Sequence, residues 1–190
     1  MHRQPLLDQL HNHRGSDSSE EAARVRMIEF VEANPDCFER SNLSGHITGA
    51  AWLVNAANTH ALLTHHRKLG LWLQLGGHAD GDPDALSVAL REAREESGIE
   101  QIVPVSRDIF DVDVHPIPAH NGVPPHLHYD VRFLLRVEGE PSLRITEESI
   151  ELAWLSRPEV PRIVTDGSVL RMHRKWARVE SAAGPPATAG

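Results

Sequence analysis

"GGHADGDPDALSVALREAREESGI", residues 76–99, sets a glycine-rich loop ahead of a helix-forming run crowded with acids. Asp82 reads as the N-cap, Pro83 suits the first helical position, and Gly98 supplies the C-terminal stop. At about 100° per residue, Leu86, Ala89, Leu90, Ala93 and Ser97 fall in one arc, which should face the core. Glu92, Glu95 and Glu96 fall in the neighbouring arc at i, i+3 and i+4, with Arg91 and Arg94 on the remaining side. The carboxylates therefore line an edge of the packed face, where a cleft between helix and loop would form. Like charges at i and i+4, such as Glu92 and Glu96, cost a helix about 0.2–0.5 kcal/mol when exposed. Partial burial raises that cost. A divalent cation removes it: magnesium prefers oxygen ligands, keeps several waters and bridges carboxylates to phosphates. On the helix alone, a solvated face with an Arg91–Glu95 ion pair accounts for the same residues. Gly76, Gly77 and Gly81 add a loop that lets backbone approach a ligand closely, and a glycine carbonyl can serve as a metal ligand.

Outward from this segment the chain alternates strands and helices. "SSEE" offers a Ser18-x-x-Glu21 capping box to a helix carrying Ala23, Met27, Phe30 and Val31 at helical spacing, ending near Pro35. Residues 1–16 read as a short polar lead. "HITGAAWLVNAANTHALLTHH" reads as two apolar strands around a turn at "NAAN", and "RKLGLWLQLGG" as a loop and a short strand. Beyond the acidic helix, "DIFDVDVHPI", "HLHYDVRFLLRV" and "IELAWLS" read as strands, and "VLRMHRKWARVES" as a solvated amphipathic helix. The order predicts an α+β chain, an α/β/α sandwich with a mixed central sheet. Residues 1–44 form a helical extension, 45–180 the main domain, and 181–190 a frayed tail.

The chain of 190 residues is 40% hydrophobic, enough for one domain with a core. Its net charge of −8 argues against a surface that coats nucleic acid, and no stable nucleic-acid partner is expected. The single Cys37 excludes an intramolecular disulfide framework and fits a reducing compartment. No apolar run approaches the roughly 20 residues of a membrane span, and "MHRQPLLDQLHNHRG" has no signal-peptide core. The cytoplasm is the expected location. Of the thirteen histidines, His60, His65, His66, His78, His115, His120, His126 and His128 cluster enough to count as possible ligands.

The glycine loop, acidic helix and closing glycine resemble the signature of the Nudix hydrolase superfamily, of the MutT-like kind. That pattern is Gly, five residues, Glu, seven residues, then Arg-Glu-aliphatic-x-Glu-Glu-x-Gly-aliphatic. Gly77 opens it and "REAREESGI", Arg91 to Ile99, closes it in register, with small Ala93 in the first aliphatic slot. The first Glu is replaced by Pro83, flanked by Asp82 and Asp84, which puts loop geometry in question and leaves the three helix glutamates in place. The strand order extends the resemblance to about residues 45–160.

The resemblance implies a pyrophosphatase that hydrolyses a nucleoside diphosphate linked to another group, with Mg2+ or Mn2+. Gly77, Glu92, Glu95 and Glu96 would be the metal ligands. A further carboxylate would act as base, from Glu147, Glu148 or Glu151, with Glu148 the representative and Glu92 also open. For substrate, Arg67 and Lys68 in "THHRKLGLW" would meet phosphate oxygens. On the strand at 126–135, His126, His128, Asp130 and Arg132 share a face, which is too polar to be packed and would line the pocket. Three rival readings remain. "HLHYD" resembles the His-x-His-x-Asp segment of zinc hydrolases, which would use His126, His128 and Asp130, although Val131 stands where the next histidine belongs. An isopentenyl diphosphate isomerase needs a cysteine near the glycine loop, and Cys37 lies far upstream. A nucleotide-binding sensor or adaptor would be expected to lose its glutamates, and all three are kept.

Overall fold

A parallel pair of long strands organises the molecule. In the computed structural model, which describes residues 2–67, 69–119, 122–139 and 149–182, β1 (Gly45–Val54) runs alongside β7 (His126–Val137) over ten paired residues. The other strands add antiparallel. β2 (His60–His66) and β4 (Leu75–His78) both pair with β1; β3 (Trp72–Leu73) and β8 (Ser149–Ser156) pair with β2. On the far side, β5 (Ile102–Pro104) and β6 (Asp111–Ile117) pair with β7. The result is an eight-stranded mixed sheet.

Helices cover both faces. On one side α1 (Gln4–Asn12), α2 (Ser18–Ala33) and α3 (Ala85–Ser97) bury Leu6, Leu10, Met27, Leu86 and Ala89 against Ile47, Ala51, Val131 and Phe133. Phe30 stacks on Tyr129 with ring centroids 3.9 Å apart. On the other side α4 (Val160–Ile163) and α5 (Gly167–Ala182) close over Trp52, Val54, Leu63 and Leu134 with Val160, Met172 and Trp176. This is the α/β/α sandwich predicted above. α1 and α2 share a single core with the sheet. Among the described residues no helix is long and apolar enough to cross a membrane. Most of the expected tail lies outside the described residues.

Period-two alternation sorts the faces. A Cβ on Gly49 would stand 2.7 Å from the Ala85 carbonyl oxygen and from Val88 Cβ, so odd-numbered β1 residues face α3 and its close approach requires glycine there. His46, Thr48, Trp52 and their neighbours on β7 face the other way.

Three local expectations are corrected. The cap of α2 is Asp17, whose carboxylate accepts from the Glu20 amide at 2.9 Å, so the Ser18 box lies one residue late; Asp caps as well as Ser. α3 begins at Ala85, capped by Asp84, which accepts from the amides of Leu86 and Ser87. Asp82 instead accepts from the Asp84 amide at 2.9 Å, an Asx-type turn that leaves Pro83 before the helix. The lead segment contains α1, with Leu6 and Leu10 buried and Pro5 in its first turn.

The polar face of β7 is not open along its length. Asp130 and Arg132 are buried. Arg132 donates to Asp111 at 3.2 Å and to Asp130 at 3.1 Å. Arg171 of α5 donates to both oxygens of Asp111 at 2.9 Å, to the Val112 carbonyl at 2.8 Å and to Asp113 at 3.2 Å. Lys175 donates to Glu20 at 2.5 Å and to Asp111 at 3.3 Å. Two basic residues of "RMHRKWAR" thus turn inward, where a solvated helix was expected. Burial works against ionised Asp113, but His115, Arg132 and Arg171 outweigh it and draw its carboxyl down to about 2.

Arg171→Met keeps side-chain bulk and removes the donors from Asp111. Removing one partner of a buried ionic group costs about 3–5 kcal/mol, so the urea midpoint should fall sharply with an unchanged slope. A wild-type midpoint would contradict the importance assigned to this network.

Candidate active site

The glycine loop leaves β4 at His78 and turns through Asp80, a non-glycine residue at φ 51°, into Gly81 at φ 87°. Two ties hold it to the N-terminal side. Arg40 pairs bidentately with Asp80, one bond being 2.6 Å, and the Gly81 amide donates to the Phe38 carbonyl at 3.0 Å. A third comes from α3: Arg91 Nη2 donates to the His78 carbonyl at 2.7 Å and to Glu92 Oε1 at 2.8 Å. Salt bridge and backbone bond together fix the helix arginine against the loop, with Pro83 standing where the signature has an acid.

Glu92 is turned toward the sheet. A Cβ on Gly77 would lie 2.5 Å from Glu92 Cδ, so only glycine at 77 leaves room for that carboxylate. Glu95 is exposed and Glu96 half-buried on the adjoining surface of α3. Gly98, at φ 71°, ends the helix as its left-handed cap. The predicted core arc is reproduced for Leu86, Ala89, Ala93 and Ser97, while Leu90 is only half-buried. Among the described residues, the three glutamates are not a set whose ligand atoms lie within 4.8 Å of one another. Like charges keep apart, and Glu92 leans to Arg91.

The remaining predicted residues are scattered. Arg67 is exposed at the tip between β2 and β3; Lys68, Glu147 and Glu148 lie outside the described residues. Glu151 is exposed on β8, opposite His65. Arg132, expected at substrate, has its guanidinium held by Asp111, Asp113 and Asp130 and is 1% exposed; its charge is consumed by the core. Cys37 is buried, and burial pushes its thiol up to about 11, far from the reactive range an isomerase would need.

His128 sits on the sheet face turned from α3, and the structure gathers histidines around it. His46, its partner across the parallel ladder, was missed in the sequence, since only the β1–β7 register brings the two together. His78 joins them from β4. Burial first, then the charges of neighbouring residues, lowers the ring pKa of His78 to about 4. Burial also lowers His128, to about 3, against the pull of Asp130. His115 is raised: burial opposes its charge, but Asp130 and Asp113 outweigh it. The zinc-hydrolase grouping of His126, His128 and Asp130 does not form; among the described residues the sets within ligand distance are His46, His78, His128 and His115, His128, Asp130.

The chain matches the family model of the NUDIX domain over residues 45–176. Comparison with curated protein sequences gives no match. Among solved structures, the chain is similar to an Ap4A hydrolase from C. elegans, at TM-score 0.57 and 18% identity, covering 72% of this chain and 98% of that one. It is similar to the Nudix hydrolase RenU from M. smegmatis, at TM-score 0.54 and 18% identity, covering 76% and 91%. A MutT protein from Methanosarcina mazei gives TM-score 0.53 at 19% identity, covering 74% and 96%.

Arg91→Met removes the bond from α3 to the loop. Because Arg91 is half-exposed, the melting temperature should change little while amide exchange quickens through residues 78–82. Wild-type exchange there would show that the loop holds without Arg91.

Proposed function

The chain belongs to the Nudix family and is a Nudix-type pyrophosphohydrolase, and from that premise we propose that it cleaves the diphosphate of a nucleoside diphosphate joined to another moiety, with a divalent cation held along α3. The observation that carries this reading is the seat of Glu92 against Gly77, where a missing side chain admits a carboxylate beside strand backbone. Glu92, Glu95 and Glu96 offer carboxylate oxygens and Gly77 a carbonyl, an all-oxygen donor set that suits magnesium, with manganese as a substitute. When bound, such an ion neutralises the diphosphate and lowers the pKa of attacking water.

The chain's own groups complete the assignment. Arg91 spans Glu92 and the His78 carbonyl, so it sets one carboxylate and the loop backbone in a common frame. Glu148 is proposed as the base that accepts the water's proton, with Glu92 the other candidate. Arg67 and Lys68 are proposed to meet phosphate oxygens, Arg67 in the bidentate manner of guanidinium. His128 is proposed to face the same substrate from β7.

Glu95→Gln and Glu96→Gln each keep shape and remove charge from exposed or half-buried positions. Magnesium-dependent turnover should drop about a hundredfold or more, the range for losing one charge-stabilising group, with circular dichroism unchanged. Undiminished hydrolysis by both variants would sink the assignment. The substrate is found with a panel: dinucleoside polyphosphates first, because the C. elegans neighbour is an Ap4A hydrolase, then ADP-ribose, oxidised nucleotides, coenzyme A and capped RNA.

Gly77→Ala tests the seat itself. Its new methyl meets only the end of a flexible side chain, so stability should be nearly kept while Glu92 is displaced. The activity-based magnesium affinity should weaken by about tenfold or more, the scale set by disturbing a ligand's support. Unchanged affinity would mean that Glu92 is not a ligand.

A further inference from the structure

Three strands each send one imidazole to the same point on the sheet face turned from α3. His46 is opposite His128 across the β1–β7 ladder, and His78 is opposite Thr48 across the β1–β4 ladder. Their ring centroids form a near-regular triangle: 5.0 Å for His46–His78, 4.9 Å for His46–His128 and 4.8 Å for His78–His128. One ring nitrogen from each lies within 4.8 Å of the other two.

Nitrogens of two of the three rings also lack close partners. His46 is 3% exposed, and its ring nitrogens make no well-formed hydrogen bond, the Asn42 backbone offering only a weak approach; the Nε2 of His128 is likewise buried and unpartnered. Every imidazole carries at least one donor, and leaving a buried polar group unpaired is costly. A sheet position beside an apolar core is otherwise filled by an aliphatic residue. The neighbouring trio of His115, His128 and Asp130 is different, because its acid is already engaged. Asp130 accepts from Thr48, from Gln74 at 3.2 Å and from Arg132 at 3.1 Å.

We propose that His46, His78 and His128 form a transition-metal site, for Zn2+ in the first instance, separate from the carboxylates of α3. Imidazole nitrogen suits zinc and its neighbours in the series and is a poor ligand for magnesium. Three histidines with a fourth position left for water or an oxygen ligand are an established zinc coordination set. Zinc–nitrogen bonds of about 2.0–2.1 Å place ligand nitrogens about 3.3 Å apart, which side-chain rotation reaches from the present spacing. The ion would tie β4 to β1 and β7 at His78, the residue whose carbonyl receives Arg91 and from which the glycine loop departs. The site would thereby brace that loop from the sheet face opposite α3. It shares His128 with the substrate contact proposed above and otherwise draws on none of the side chains of the hydrolase assignment.

The test uses tag-free full-length protein stripped with a chelator and titrated with Zn2+ by calorimetry, and with Co2+ by visible absorption. One equivalent of Zn2+ should bind, Co2+ should show the bands of nitrogen coordination, and Zn2+ should raise the melting temperature. His46→Ala and His128→Ala should bind at least about a hundredfold more weakly, beyond what second-shell changes alone produce. His78→Asn, at a half-buried position, should do the same and serves where the variant of buried His46 fails to fold. Glu95→Gln should bind zinc as wild type does, which separates this site from the carboxylates. Absence of stoichiometric zinc, full binding by the histidine variants, or loss in Glu95→Gln would each overturn the proposal.

Discussion

Asp111 is the charge around which the molecule closes. It is fully buried on β6, and guanidinium or ammonium groups reach it from β7 and α5 through Arg132, Arg171 and Lys175. Lys175 passes the connection on to Glu20 of α2, which is also fully buried and pairs with His13 at 2.8 Å. Burial opposes the charge of Glu20, yet His13 and Lys175 hold its carboxyl well below the usual range. Ions in such surroundings persist only when each finds its counterpart. The network therefore dictates how α5 and α2 sit against the sheet, and nonpolar packing fills in around it.

Both candidate sites are consequences of that frame. With β6 and β7 locked by Arg132, the ladder delivers His115 and His128 to one end of the sheet. On the opposite face, Gly49 lets α3 settle against β1, and the helix edge then carries Glu92 to Gly77. The Nudix signature is thus a local statement about α3 and its loop, while the placement of both on the sheet is decided elsewhere. Pro83 illustrates the division: where the signature has an acid, Arg40, Asp80 and Arg91 hold the loop instead.

What the sequence disclosed was what is written within a single element. The apolar runs of 45–66, the alternation of 126–137 and the helical spacing of 85–97 were readable because each pattern is held within one stretch of chain; β1 is in fact buried along its whole length. Helix starts were misplaced by one or two residues, since Asp17 and Ser18, or Asp82 and Asp84, are equally able caps and only packing chooses. α1 escaped because Leu6 and Leu10 are its only buried residues, too few to stand out from a polar run. Arg132 looked like a substrate group because strand alternation does not reveal that α5 covers that end of the face. His46 gave no signal at all: its neighbours in the chain are apolar, and its partners lie on other strands.

α2 and α5 meet in the bond from Lys175 to Glu20, 155 residues apart. A ribosome reads from one end only, so α2 and β6 emerge bearing acids whose partners on α5 are still unmade. Until α5 leaves the exit tunnel, the nascent polypeptide exposes an incompletely neutralised interior edge. Premature termination before α5 would strand that edge permanently, marking the fragment for chaperone capture and proteolysis.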